Sequence, residues 1–234
     1  MRYYSHILSN IFVLSIIFSS EFPDKTQLIR KNSAAKTIGR EDRKDGVHSG
    51  NRVLTRIYNH GAIGDLSSSF SGVYPIGSGH AYIFEFSPII AASVVDANGF
   101  RKHIISDGTI GLTDNSPEGT PWGFEPLTGY ANPNQENLAM SDNESSWPDT
   151  WPNRSSDWDG EWNGQYGKYV RADQESYFVV DDYYNSEFEF WPDQNDIPQD
   201  TTATSDNHRR GLGVQLDVRG YQWNHPAAED ILIV

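Results

Sequence analysis

The sequence contains no cysteine among its 234 residues and only two methionines. Without cysteine the chain can form no disulfide, no thiolate metal site and no iron–sulfur cluster, and it has no cysteine nucleophile. Basic residues are also scarce, with 18 Lys and Arg against 32 Asp and Glu and a net charge of −14. Nucleic acids and anionic membranes bind through Lys and Arg, so this charge excludes both as the main partner.

Catalytic motifs are missing as well. The sequence has no His-Glu-x-x-His, no Gly-x-Ser-x-Gly, no phosphate loop and no dinucleotide fingerprint. The acids Asp181, Asp182, Glu187 and Glu189 could supply the two carboxylates of a glycosidase, but a coincidental pair is expected in so acidic a chain. The sequence therefore favours a protein without catalytic activity.

Long apolar runs are absent except near the N-terminus. Arg2 precedes the apolar stretch Ile11–Phe18, and small residues follow it, a pattern typical of a secretory signal over residues 1–20. The alternative is a buried N-terminal strand or helix. The stretch is too short to span a bilayer core of about 30 Å, and no other run approaches the required length, so the sequence predicts no transmembrane segment.

Charge divides the chain into a basic leader and an acidic body. Residues 1–60 hold 10 Lys and Arg and 5 Asp and Glu, whereas residues 61–234 hold 8 and 27. The basic residues between Lys25 and Lys44 have few apolar neighbours, so residues 21–50 are predicted to form a flexible, solvated linker, with a peptide-binding tail as the alternative.

From Asn51 onward the hydrophobic pattern is that of β-strands, and no amphipathic helix is evident. The predicted strands are Arg52–Tyr58, Ala81–Phe86, Ile89–Val95, Phe100–Ser106, Ser176–Asp181, Ser186–Trp191, Leu212–Val218 and the start of one at Asp230–Val234. The continuous apolar run Ile89–Val95 predicts a strand covered on both faces. Residues 51–234 are therefore predicted to be a mainly β domain, with sandwich-like antiparallel sheets and a long irregular insertion.

Three details refine this prediction. Asp96–Gly99 has the Asn-Gly pair favoured in a hairpin turn. The apolar positions change parity after Gly220, which predicts a β-bulge there that returns Tyr221 and Trp223 to the core face. The final apolar residues, ending at Val234, predict that the domain continues as part of a longer protein.

The insertion, residues 113–169, is rich in Trp, Asp and Gly and carries a short tryptophan-centred repeat. Trp147-Pro-Asp-Thr and Trp151-Pro-Asn-Arg are consecutive units, and Trp158-Asp-Gly-Glu and Trp162-Asn-Gly-Gln form a second pair. Because Pro and Gly interrupt the run, we expect successive turns instead of a helix. Either the four indoles anchor the insertion onto the sheet, which is the favoured interpretation, or they are exposed and stack against sugar rings.

Acidic residues are dense between Asp114 and Asp200. Carboxylates and carbonyls are the ligands of calcium, and two places offer them: Asp157 with Asp159, and Asp181 with Asp182. The first is not an EF-hand loop, because its sixth position is Trp162 instead of glycine. The alternative is a solvated acidic surface, the usual meaning of a charge excess.

Several segments of residues 50–234 carry a family resemblance. They are Tyr74–Gly79 with the strands after it, Trp162–Lys168, Arg171–Asp182, Arg209–Gly213 and Gly220–Asp230. In these segments the chain resembles the N-terminal region of large, uncharacterised exported proteins of the Bacteroidetes/Ignavibacteria/Marinimicrobia type, which typically are cargo of type IX secretion. The resemblance implies a location outside the cell or on its surface and further strands and domains downstream. It provides no catalytic residues.

Together these features predict a non-catalytic bacterial β domain, secreted or held at the cell surface, with a structural, adhesive or scaffolding role. Its expected partners are downstream domains of the same longer protein, and surface glycans are a further possibility. The alternative function is a carbohydrate-binding or glycan-hydrolysing module that uses the loop from Trp147 to Trp162. No cofactor is expected other than calcium at the acidic places named above.

Overall fold

The computed structural model describes residues 42–65, 67–95, 99–109, 123–182 and 212–234. The described strands are β1 (Asp45–His48), β2 (Thr55–Tyr58), β3 (Ile89–Val95), β4 (Arg101–Asp107), β5 (Glu125–Pro126), β6 (Ala139–Met140), β7 (Gln174–Asp181), β8 (Gln215–Gln222) and β9 (Leu232–Ile233). Every pair of these strands is antiparallel. The mainly β fold with antiparallel sheets is therefore confirmed.

Strand β7 is the centre of the fold. It pairs with β8 along one edge and with β5 and β6 along the other, while β9 extends the sheet beyond β8. All eight of its residues are buried. Aromatic and β-branched residues fill its middle, Tyr177–Val180, and such residues pack well on a pleated surface that is covered on both faces.

Because side chains alternate along a strand, β7 contributes to two separate cores. Phe178 and Val180 lie on one face, in a cluster that we call the hairpin core because it includes Ile57 of β2. Tyr177 and Val179 lie on the opposite face, in a cluster that we call the tryptophan core because it contains Trp151 and Trp162. The sheet is thus covered by the β1–β2 hairpin on one side and by the irregular insertion on the other.

Two hairpins accompany this sheet. β1 pairs with β2, so the end of the segment 21–50, which the sequence assigned to a flexible linker, contains a strand. β3 pairs with β4, as expected from their pattern. The predicted burial of β3 on both faces is wrong, because Ile89 is 65% exposed while Ile90 packs against the hairpin core. Within the described residues, Ile89 and Ile105 lie on the same face of this hairpin and both are exposed.

The predicted bulge at Gly220 is also wrong. The β7–β8 register runs without interruption from Gln174 opposite Gln222 to Asp181 opposite Gln215. Gly220 serves another purpose, because a Cβ at this position would lie 2.5 Å from Ser176 Oγ and 2.6 Å from His48 Nε2. The glycine provides room for a buried histidine, and Tyr221 remains on the face of the tryptophan core.

Two predicted strands differ from the structure. The first segment, Ala81–Phe86, makes only isolated bridges, from Ala81 to Val73 and from Phe86 to Ile63, because its partners are short turns. The second, Leu212–Val218, becomes regular only from Gln215, since Gly213 has a φ of 81°, which an extended strand does not allow.

Some sequence-based predictions lie outside the described residues. These are the signal over residues 1–20, the linker before residue 42, the strand Ser186–Trp191 and most of the Asp96–Gly99 turn. In the described part of the chain no helix has the length and apolar character needed to cross a bilayer.

Candidate functional site

The four tryptophans proposed as a stacking platform form a packed cluster. Trp151 and Trp162 are buried, with 3% and 2% exposure, and Trp147 and Trp158 are half-buried against the same core. The Trp151 and Trp162 rings meet edge to face at 87°, and the Trp147 and Trp162 rings are tilted by 46°. A glycan platform needs coplanar, open rings, so this arrangement favours the anchoring interpretation.

The polar atoms of the indoles hold the insertion together. Trp147 Nε1 donates to the carbonyl of Met140 at 2.7 Å, and Trp151 Nε1 donates to that of Glu161 at 2.9 Å. Two short 3₁₀ helices provide turns next to the rings: Glu144–Ser146 ends directly before Trp147, and Ser156–Trp158 lies between Trp151 and Trp162. The insertion has few branched aliphatic residues, and the buried indoles of Trp151 and Trp162, together with Tyr130 and Ala139, form its side of the tryptophan core.

Trp158 differs from the other three tryptophans because two cationic side chains make cation–π contacts with its ring. The Arg154 guanidinium lies 4.2 Å from its centroid, and Lys168 Nζ lies at 5.6 Å. Lys168 also pairs with the exposed Asp157, at 2.9 Å. Hydrogen bonds from Ser155 and Lys168 hold the pKa of Asp157 below its ordinary value. The structure therefore gives Asp157, a predicted calcium ligand, a lysine partner, and it leaves Asp159 exposed nearby.

The second predicted calcium place, Asp181 with Asp182, lies at the end of β7. The buried Asp182 carboxylate accepts the backbone N–H groups of Leu212, Gly213 and Val214 at 2.5, 3.0 and 2.9 Å. It also accepts the hydroxyl of Ser106 at 3.0 Å. Asp182 thus fixes the backbone that leads into β8. Within the described ranges no group of three or more His, Asp and Glu side chains is placed to hold a metal ion.

Two other buried acids have structural partners. Glu175 accepts the backbone N–H groups of Arg171 and Ala172 at 2.6 and 3.0 Å and the indole N–H of Trp162 at 2.7 Å. Glu125 makes a bidentate ion pair with Arg43, in which both N–O distances are 2.8 Å. Charge-assisted bonds of this kind fix a local geometry, and each acid joins a loop or chain segment to the sheet.

A histidine–serine pair lies inside the fold. His48 Nε2 is 2.9 Å from Ser176 Oγ, and both residues have 0% exposure. Burial lowers the pKa of His48 from 6.5 to about 4, so the imidazole is neutral at pH 7. A serine next to a neutral histidine is the arrangement of a catalytic nucleophile, but no substrate can reach this pair.

Large apolar side chains are exposed along the segment before β3 and on the β3–β4 hairpin. We call this set the apolar surface: Tyr82, Phe84, Phe86, Ile89, Phe100 and Ile105. Tyr82 and Phe84 alternate with Ile83, which points inward against Gly64 and Gly72. Strands were predicted here but an exposed face was not, although the alternation of aromatic residues from 82 to 86 was the available signal.

The segments that carry the apolar surface are fixed to the rest of the fold. Phe86 and Ile63 exchange two backbone hydrogen bonds of 2.8 Å, and Ile83 N donates to the carbonyl of Ser71 at 3.2 Å. On the hairpin, Ile104 is buried and Ser106 is bonded to Asp182. The exposed rings are therefore held on ordered backbone.

Comparison with known proteins identified no relative of this chain. No family model matches the chain, and neither a curated protein nor a solved structure matches it.

Proposed function

We propose that this chain is a non-catalytic β domain of an exported bacterial protein, with an adhesive or scaffolding role at the cell surface, and that it acts by binding another protein domain. The observation that carries the proposal is the apolar surface. Tyr82, Phe84 and Phe86 are 70%, 71% and 68% exposed. Single exposed apolar residues are common, but a group of large ones marks an interaction site.

The composition of this surface suits a protein partner. Aromatic residues are enriched at the centres of protein–protein interfaces, where they bury much apolar area with little loss of conformational freedom. Ile89 and Phe100, 65% and 67% exposed, lie at opposite ends of the β3–β4 hairpin and add exposed apolar area there. The partner that fits is a folded domain with an apolar patch of its own.

Charge narrows the choice of partner further. Arg101 and Lys102 are exposed at the start of β4, whereas residues 61–234 as a whole are strongly acidic. A partner with acidic residues around its apolar patch would complement this basic end of the hairpin. We propose that this partner is a downstream domain of the same longer protein, as the family resemblance implies.

The partners of the buried acids support a role without catalysis. Glu125, Glu175 and Asp182 each hold an arginine, an indole or backbone amides in place, so their charges are used to fix the fold. The glycan alternative assigned to the Trp147–Trp162 loop gains no comparable support, because Trp151 and Trp162 are core residues. Export itself rests on the signal-like pattern of residues 1–20.

The test is a binding measurement between the chain and the polypeptide encoded directly after Val234, expressed separately. We expect wild-type chain to bind it, and a Tyr82→Ser, Phe84→Ser, Phe86→Ser variant to lose at least about tenfold in affinity, or about 1.4 kcal/mol. The matched control is Tyr166→Ser, which removes a ring of 67% exposure elsewhere.

Two outcomes would contradict the proposal. In one, the triple variant binds as tightly as the control while its thermal midpoint is unchanged. In the other, the reading frame ends at Val234, which removes the proposed partner.

A further inference from the structure

Strand β8 carries two aromatic rings past the edge of the tryptophan core. Tyr221 pairs with Glu175 and therefore lies on the sheet face that Tyr177 shares with the insertion. Trp223 follows two residues later. The two ring planes are within 12° of parallel, and their centroids are 5.8 Å apart. This exposed pair was not predicted, because a bulge at Gly220 would have placed both rings in the core.

The segment before β7 brings two more rings to the same place. The Arg171 guanidinium lies 4.5 Å from the centroid of Tyr166 and 5.3 Å from that of Tyr169. It donates a 2.7 Å hydrogen bond to the Tyr169 hydroxyl, which raises the pKa of Arg171. Tyr166 and Tyr169 are 67% and 51% exposed. We call Tyr166, Tyr169, Arg171, Tyr221 and Trp223 the aromatic platform.

Hydrogen bonds connect the two halves of the aromatic platform. Trp223 Nε1 donates to the carbonyl of Arg171 at 3.1 Å, and the Tyr221 hydroxyl donates to Gln165 Oε1 at 3.1 Å. Glu175, buried beneath, accepts the backbone N–H of Arg171. A surface fixed in this way loses little conformational entropy when a ligand binds, which increases affinity.

The chemistry of the platform is amphipathic. Arg171 covers one face of the Tyr166 ring, but the residue is still 67% exposed, so its other face is open to solvent. Around the rings stand the guanidinium of Arg171, the amide of Gln165 and the tyrosine hydroxyls, which provide hydrogen-bond donors and acceptors. A sugar ring has an apolar C–H face and a rim of hydroxyl groups, and this combination matches an aromatic face with polar neighbours.

Other ligand classes fit less well. Nucleobases also stack on aromatic rings, but a nucleic acid strand needs a positive groove, and the chain carries a net charge of −14. An apolar protein patch would bury the polar groups of Arg171 and Gln165 without offering them hydrogen-bond partners, which costs free energy. A proline-rich peptide remains the strongest competitor, because aromatic grooves bind such segments, and it is therefore included in the test.

We infer that the aromatic platform is a binding site for a neutral glycan chain, with Tyr166 and Trp223 as stacking residues and Arg171 and Gln165 as hydrogen-bonding residues. This site is separate from the apolar surface, and the inference does not depend on the protein-binding role proposed above. It assigns glycan recognition to residues other than the Trp147–Trp162 loop.

The test is isothermal titration of the full chain with cellohexaose, laminarihexaose, xylohexaose and maltohexaose, and with a proline decapeptide as the peptide probe. We expect at least one hexasaccharide to bind with a Kd below about 1 mM. Tyr166→Ala and Trp223→Ala should each weaken this binding at least about tenfold. The matched control is Tyr82→Ala, which removes a ring of similar exposure on the apolar surface and should leave sugar binding unchanged.

Three results would overturn the inference: no hexasaccharide binds, the decapeptide binds and the sugars do not, or Tyr166→Ala binds the sugar as well as wild type. Tyr166 is so exposed that its truncation leaves the fold intact, which a thermal melt verifies, so this variant remains decisive if Trp223→Ala is unstable. Loss of sugar binding in Tyr166→Ala with normal protein binding would separate this site from the apolar surface.

Discussion

The indole N–H of Trp162 donates a 2.7 Å hydrogen bond to the Glu175 carboxylate, and both side chains are 2% exposed. Trp162 belongs to the insertion, whereas Glu175 lies in the central strand of the sheet. The second carboxylate oxygen of Glu175 accepts two backbone N–H groups, from Arg171 and Ala172. One buried acid thus joins the tryptophan core, the sheet and the backbone of the aromatic platform.

Replacing Glu175 by glutamine tests this junction. A carboxylate accepts all three donors, but an amide has one acceptor oxygen and turns an N–H₂ group toward at least one of them. We expect Glu175→Gln to lower the free energy of unfolding by about 1–3 kcal/mol, measured by urea denaturation. The control is Glu161→Gln, an exposed acid of the same insertion. Equal stability of the two variants would show that the junction is dispensable.

Gly220→Ala tests the space beside the buried histidine. The new methyl group would lie within 2.6 Å of both Ser176 Oγ and His48 Nε2, so the strand or the histidine has to move. Overpacking of this kind lowers the free energy of unfolding by about 1–3 kcal/mol. Gln215→Ala, an exposed change in the same strand, should have little effect in the same urea titration. A Gly220→Ala variant as stable as wild type would contradict the packing described for His48.

The depressed pKa of His48 predicts a specific loss of stability in acid. The folded-state pKa is about 4 and the ordinary value is 6.5, so between these values the unfolded chain binds a proton that the folded chain does not. The contribution of the neutral His48 to the free energy of unfolding is therefore complete above pH 6.5 and is lost as pH falls toward 4. At pH 4.5 the loss is about 2.5 kcal/mol.

Urea denaturation at pH 7 and pH 4.5 measures this contribution. Acidic groups also titrate in this range, so the comparison is between wild type and His48→Asn. The difference in unfolding free energy between the two pH values should be smaller in the variant by about 2.5 kcal/mol. An identical pH dependence in both proteins would rule out His48 as the source.

Asp182 leads to a prediction about calcium. Both of its carboxylate oxygens accept backbone N–H groups, so a cation at this place would have to displace those donors. A ligand that binds only the folded state raises the thermal midpoint. Because we expect no calcium to bind at Asp182, the midpoint should be the same in calcium and in chelator. A higher midpoint in calcium that disappears in an Asp157→Asn, Asp159→Asn variant would instead place a calcium site in the insertion.

The local pattern was sufficient for the parts of the fold that depend on nearest neighbours. The run Ser176–Asp181 is rich in aromatic and β-branched residues and was predicted as a strand, and it forms the last six residues of β7. The turns expected in the tryptophan repeat were predicted from Pro and Gly, whose backbone preferences act over a few residues, and 3₁₀ helices lie at Trp147 and Trp158. The anchoring role of the indoles was favoured because a loop with almost no branched aliphatic residues needs large aromatic side chains to hold it on the sheet.

The features that sequence reasoning missed depend on contacts between distant residues. The sequence around Gly220 predicts a bulge, but a glycine is needed there because a side chain would collide with His48, which lies in another strand. Asp182 has the appearance of a metal ligand, but the turn of Gly213 brings three amides to it.

The two candidate binding surfaces have the same origin. An apolar run predicts burial wherever it occurs, and only the arrangement of the sheets shows that Phe84 faces solvent. Likewise, a bulge was predicted to return Tyr221 and Trp223 to the core face, but the unbroken β7–β8 register places Tyr221 on the face of the tryptophan core. Composition and periodicity thus determined the antiparallel β architecture, because they act locally, whereas exposure and partners came from long-range packing, which no local pattern encodes.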